Sequence, residues 1–111
     1  MALQEKQLGQ ARPAGTTAVS IYSPGAGVTA IIRNVTVTNT TGLAANFSLY
    51  HDDDGTTYDQ TTALYYTVRI EKNQTISLTA FMAMNNSSGN LAVQTDTANA
   101  LTFTVYGAEA T

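Results

Sequence analysis

The chain has no cysteine and no tryptophan, and it has one histidine and two prolines. Without cysteine it can hold neither a disulfide framework nor a thiolate metal site, and it has no thiol nucleophile. A histidine-relayed triad or a histidine-rich metal centre would rest on His51 alone. Charge is scarce as well. Asp, Glu, Lys and Arg make up 12% of the 111 residues, about half the usual share of roughly 25%. Five basic against eight acidic residues, a net charge of -3, is the wrong balance for gripping a phosphate backbone. No nucleic-acid partner is therefore expected. Gly25 and Gly27 lead into a strand pattern and not a helix, so they make no phosphate loop. No apolar run approaches the roughly 18 residues that a spanning helix needs, so no membrane partner is expected either. The opening MALQEKQLGQ lacks the basic and apolar regions of a signal peptide, and the expectation is a soluble protein made in the cytosol. Six Asn-x-Ser/Thr triplets begin at Asn34, Asn39, Asn46, Asn73, Asn85 and Asn86. They would be glycosylation acceptors only on a secretory route, and a Thr- and Asn-rich chain makes them by chance.

Threonine fills the place of the missing charge, with 19 residues. It is β-branched, which suits a pleated sheet, and its hydroxyl suits a solvent-facing side. From Thr17 onward the apolar period is two. Val19 and Ile21 alternate with Ser20 and Tyr22, Phe47 and Leu49 with Ser48 and Tyr50, and Leu64, Tyr66, Val68 and Ile70 with Tyr65, Thr67 and Arg69. Ile76 and Leu78, Leu91 and Val93, and Leu101, Phe103 and Val105 continue the pattern. In the long run 28–38 one parity holds Val28, Ala30 and Ile32 and the other holds Ile31, Val35 and Val37. That conflict predicts a β-bulge near 32–34, or one end buried on both faces. Turn residues at 24–27, 39–42, 52–55, 71–74, 85–90 and 96–99 punctuate these runs. Helix signals are nearly absent, and the short apolar run 80–84 suits a strand equally well. The reading is all-β: a single antiparallel β-sandwich, jelly-roll-like, of seven to eight strands over 17–111.

Residues 1–16 differ. They hold Lys6 and Arg12, lack period-two alternation, and carry breakers from Gly9 to Gly15. They read as an extended N-terminal arm, ordered on docking, with a marginal short helix over 3–8 as the other option.

Few groups suggest chemistry. Asp52, Asp53 and Asp54 precede Gly55, with Asp59 close behind. A chain-reversing turn accounts for them. The alternative is a Ca²⁺ site on Asp52, Asp54 and Asp59, although EF-hand spacing would put Tyr50 and Thr61 where carboxylates are required. No cofactor is expected. His51 reads as a strand-end histidine on the Phe47/Leu49 side, with no marked nucleophile beside it. Of the six tyrosines, Tyr22, Tyr50, Tyr65 and Tyr106 are candidate interface aromatics on the face opposite the aliphatics.

Several strings carry a family resemblance: LGQARP at 8–13, IYSPGAG at 21–27, the run 31–39, NFSLY at 46–50 with the Asp-rich turn after it, and NNSSGNL at 85–91. They resemble the small β-sandwich virion proteins of tailed bacteriophages, and the length and threonine content are similar to capsid decoration (cement or staple) proteins among them. The resemblance implies a jelly-roll-like sandwich similar to carbohydrate-binding modules and no enzymatic activity. It implies attachment outside the capsid, where the protein clasps neighbouring major capsid proteins near two-fold axes. A homodimer is then the expected self-association, with a trimer as the competitor. In that reading Leu3, Lys6, Leu8, Arg12 and Pro13 form a capsid-binding arm. Two other functions stay open: a glycan-binding module with a tyrosine platform, and another virion part such as a tail or neck protein.

Overall fold

The computed structural model describes residues 3–79 and 81–111. Residues 1 and 2 of the expected arm, and residue 80 of the run 80–84, lie outside the described residues. Nine antiparallel strands form: β1 (Leu3–Ala11), β2 (Val19–Tyr22), β3 (Thr29–Asn39), β4 (Ala45–Asp52), β5 (Ala63–Ile70), β6 (Thr75–Leu78), β7 (Met82–Met84), β8 (Asn90–Thr95) and β9 (Leu101–Ala110). One sheet runs β1-β9-β3-β6, with β7 also on β3, and the other runs β2-β8-β4-β5. β6 pairs with Val35–Thr38 and β7 with Ala30–Ile32, so together they act as one interrupted edge strand. Counted that way the described residues form eight strands in two four-stranded sheets, and the chain changes sheet at every connection except that from β4 to β5. This is the double Greek-key order of a jelly roll.

The core lies between the sheets. Ile32, Val35, Val37, Leu101, Phe103 and Val105 from one sheet meet Phe47, Leu49, Ile70, Leu91 and Val93 from the other. Phe47 and Phe103 meet edge to face, 6.0 Å between centroids. Each such fully buried side chain contributes about 1.5–3 kcal/mol. The bulge expected near 32–34 is present: the β3–β9 register slips between Ile32 and Asn34, and Arg33 is the extra residue. The shift turns Val35 and Val37 back to the core side occupied by Ala30 and Ile32. Opposite the slip, Gly107 has no side chain for a reason. A Cβ there would collide with the Ile31 carbonyl oxygen and crowd the Leu8 methyl.

The expected turns form where the punctuation stands. Val28 N–H donates to Gly25 O, Gln74 N–H to Glu71 O and Gly89 N–H to Asn86 O. Asn73 and Asn99 take the left-handed backbone at φ 55 and 56, as Asn tolerates. Buried Asn39 holds the loop after β3 by donating to the carbonyls of Leu43 and Ile70 and accepting from Thr41 N–H.

Residues 3–11, read in the sequence as part of an arm, form the edge strand of the first sheet. They are neither free nor helical: eight residues of β1 stand in antiparallel register with β9. This strand is the jelly roll's first, so the sandwich over 17–111 is one strand short without it. The alternation was missing because β1 is an edge strand whose sides are mostly exposed.

Two further bulges change which tyrosines face out. In β2 the register slips at Ile21, and Tyr22 swings into the core. In β5 it slips between the partners of Phe47 and Leu49. There Thr67 sits at φ 53, an outlier for a β-branched residue that costs about 1–3 kcal/mol. Tyr65 consequently packs inward on Phe47, 6.3 Å between ring centroids. Leu64 and Tyr66 face solvent, against the alternation expected from the sequence.

Candidate functional site

The outer face of the sheet β1-β9-β3-β6, with β7, is a regular surface of the fold. Val37 and Phe103 pair inside the core, so Thr36, Thr38, Thr102 and Thr104 point away from it. Strand register then builds rows across the sheet. One row is Gln10, Thr104, Thr36 and Ser77; the next is Thr102, Thr38 and Thr75. Hydrogen bonds knit them: Gln10 Nε2 donates to Thr104 Oγ1 at 3.0 Å, Thr75 Oγ1 to Thr38 Oγ1 at 3.1 Å, and Thr36 Oγ1 to Asn34 Oδ1 at 2.7 Å. Tyr106 stands beside these rows, 47% exposed. The charges on this face are Glu5 and Arg33, which neutralise one another at 3.0 Å above Ala108. The face is thus a hydroxyl and amide ladder that carries the exposed Tyr106 and the mutually neutralised Glu5 and Arg33. Such a surface can be covered by another protein without burying an unpaired ion.

The arm residues lie along one edge of this face. Leu3 is exposed. Lys6 reaches Glu109 Oε1 at 2.8 Å, and Glu109 Oε2 accepts the hydroxyl proton of Tyr22 from the other sheet. Lys6, first, and then Tyr22 hold the Glu109 carboxyl below its ordinary range. Burial and the Glu109 carboxylate push the Tyr22 phenol up. Leu8 packs against the core. Arg12 donates to Asn99 O, and the carbonyl of buried Pro13 accepts from Asn99 N–H at 2.9 Å. All five candidate arm residues therefore contact their own domain, Leu3 through its register pair with Ala110.

The tyrosines separate. Tyr106 is exposed, Tyr65 is half-buried on the core, and Tyr22 and Tyr50 are buried. Tyr50 keeps its outward parity on β4, but Tyr58 covers it at 6.3 Å between centroids. Tyr66, absent from the sequence-derived set, is exposed.

The acidic stretch is a turn. Asp52 accepts from the N–H of Thr57 at 2.8 Å and of Asp54 at 3.2 Å, and these two bonds hold its carboxyl below the ordinary range. Asp59 accepts from Thr61 N–H at 2.8 Å. Among the described residues no three Asp, Glu or His side chains gather as a metal site would require. Asp52, Asp54 and Asp59 are therefore not brought together, and Asp52 and Asp59 turn carboxylate oxygens to backbone N–H groups of their own loop. His51 continues the inward side of β4 beside Leu91; among the described residues its Nε2 has no hydrogen-bond partner, and Asp53 is 3.9 Å away. Among the described residues no helix is long and apolar enough to cross a membrane.

No family model matches the chain, and no curated protein matches it. Two solved structures share a limited likeness. One is the structure of infectious bursal disease virus Gx strain, with TM-score 0.38 and 8% identity over 96% of this chain and 28% of that chain. The other is the structure of infectious bursal disease virus Gt strain, with TM-score 0.37 and 9% identity over 97% of this chain and 29% of that chain. The chain spans less than a third of the length of either. A likeness of this size identifies neither family nor function.

Proposed function

We propose that this chain is a structural virion protein that binds the outside of a phage capsid and staples neighbouring major capsid proteins. The supporting observation is the outer face of the five-stranded sheet: flat rows of Thr, Ser, Gln and Asn, one exposed Tyr106, and a single self-neutralised ion pair. Interface cores are depleted of charge and enriched in tyrosine, and this face is nearly free of charge and presents Tyr106. The strings that resemble phage virion proteins support the capsid as partner. Self-association as a homodimer fits a position on a two-fold axis, with a trimer as the alternative. Repetition over the shell lets a modest contact act with high avidity. Leu3 and the exposed side of β1 extend the contact at its rim.

The reinforcing role is tested by heating heads with and without the protein and following DNA release. Heads carrying it should retain DNA to higher temperature. Full occupancy with an unchanged release temperature would contradict reinforcement.

A further inference from the structure

The outer side of the other sheet carries a cavity of about 400 Å³ that capsid binding does not require. Its floor is the outward row of β4 and β8, namely Asn46, Ser48, Tyr50 and Gln94, with Asp96 just after β8, and Tyr66 of β5 stands at its side. The volume lies within the roughly 300–1,000 Å³ of small-ligand sites.

Tyr66 reaches this cavity only through the irregularity in β5. Continuing the parity of Val68 and Ile70 would put it in the core. The bulge with Thr67 at φ 53 sends Tyr65 inward instead and leaves Tyr66 52% exposed. Ser48 Oγ accepts the Thr67 N–H at 3.0 Å, supplying the bond that the slipped ladder loses. A strained β-branched residue, held in place by a side chain of the cavity itself, thus turns an aromatic ring out of the core. Bulges that re-aim side chains are a recurrent device beside binding sites.

The polar floor is fixed but not used up. Tyr50 Oη donates to Gln94 Oε1 at 2.6 Å, Gln94 Nε2 donates to Thr16 O at 3.0 Å, and Asn46 Nδ2 donates to Asp96 Oδ2 at 2.7 Å. Those bonds lock the rotamers. They leave Asn46 Oδ1, the Ser48 hydroxyl proton, one Gln94 N–H and the lone pairs of Tyr50 Oη free of described partners. Burial pushes the Asp96 carboxyl up, but hydrogen bonds from the Asn46 backbone and side chain and from Thr97 outweigh it and leave the group below its ordinary range. Asp96 is therefore an ionised acceptor at neutral pH.

We propose that this cavity binds a hexopyranose ring of a saccharide, with the C–H face of the sugar on Tyr66 and its hydroxyls on Asn46, Ser48, Gln94 and Asp96. The chemistry favours that class over others. A purely apolar ligand would leave the amide and carboxylate groups unpaired. A phosphate or other anion would meet Asp96 with no Lys or Arg in the cavity lining. A neutral ring bearing several hydroxyls can donate to the carboxylate and amide oxygens, accept from the amide N–H, and stack on the aromatic. The ring can come from a free sugar or from a polysaccharide.

The test has two arms. The full-length protein is applied to an array of bacterial surface polysaccharides, and saturation-transfer NMR is run with free glucose, galactose, mannose and rhamnose. Binding in either arm is expected, and signal in the array alone would assign the ring to a polymer. Tyr66→Ala should weaken binding by roughly ten-fold or more without lowering the melting temperature, since the ring is exposed. Tyr66→Phe should retain binding. No signal in both arms, or binding indifferent to Tyr66→Ala, would overturn the proposal.

Discussion

A chain that begins at Arg12, and so lacks β1, should be markedly less stable. The deletion removes eight register pairs with β9. Ladder hydrogen bonds of about 1 kcal/mol each are roughly offset by the cost of ordering an edge backbone, so the net loss comes from side chains. Leu8 is partly buried on the core and contributes about 1–1.5 kcal/mol. The half-exposed Lys6–Glu109 pair adds about 0.5–1 kcal/mol. Uncovering β9 opens Ala108 and the backbone beside Phe103 and Val105 to water, for about another 1 kcal/mol. The total is about 2–4 kcal/mol, a large share of the 5–15 kcal/mol typical of a domain. At roughly 4–8 °C per kcal/mol for a chain of this size, the melting temperature should fall by about 10–25 °C. Circular dichroism followed through thermal unfolding measures it. The newly bare edge of β9 should also make the truncated protein aggregate at lower concentration. A truncated chain that melts within a degree or two of the full chain would refute the reasoning and make residues 1–11 a free arm.

Gly107→Val should destabilise by about 2 kcal/mol or more, because the new Cβ meets the Ile31 carbonyl, which cannot move without breaking the β3–β9 ladder; urea unfolding checks it. Tyr65→Ala should cost about 2–4 kcal/mol through its contact with Phe47, whereas Tyr66→Ala should be near neutral; equal losses would argue against the β5 bulge. Acid should weaken the fold. Glu109 and Asp96 have folded-state values below their unfolded ones, so their contribution is present above about pH 4.5 and is lost as pH falls through the folded values. The urea midpoint should therefore drop between about pH 5 and pH 3, and Glu109→Gln should flatten part of that drop.

How far the fold could be read in advance depended on bulges. In β3 the aliphatics themselves disclosed the slip, since Ile32 and Val35 cannot share a core face unless a residue is inserted between them. In β2 and β5 no such conflict shows. Counting Ile21 as inward puts Tyr22 outside, and nothing in Tyr-Tyr-Thr announces that Thr67 will take a positive φ. These bulges turn Tyr22 and Tyr65 inward and Tyr66 outward, whereas Tyr50 keeps its outward parity and is buried under Tyr58. Tyr22 and Tyr50 can be buried because Glu109 and Gln94 accept their hydroxyl protons, and a partner 87 or 44 residues away leaves no local sequence signal. β1 looks like an arm in the sequence for a related reason. Alternation records burial on one side, and an edge strand exposed on both sides has little to record. Turn chemistry, by contrast, is local. Asp52 and Asn86 accept from backbone N–H groups within a few residues, and Asn73 and Asn99 supply left-handed backbone in their turns, so those segments are legible in the sequence.

The most direct test of the capsid-binding account is co-sedimentation of the purified protein with assembled shells that lack it, alongside Thr38→Lys. Thr38 lies in the middle of the hydroxyl rows and points away from the core, so the substitution should leave the fold intact. The wild-type chain should saturate the shells at a fixed ratio and bind isolated capsid subunits weakly. Thr38→Lys would bury an unpaired charge at the contact, and its binding should fall by roughly 100-fold. Wild-type binding by Thr38→Lys would take the contact away from this face, and no binding of the wild-type chain to shells would contradict the account itself.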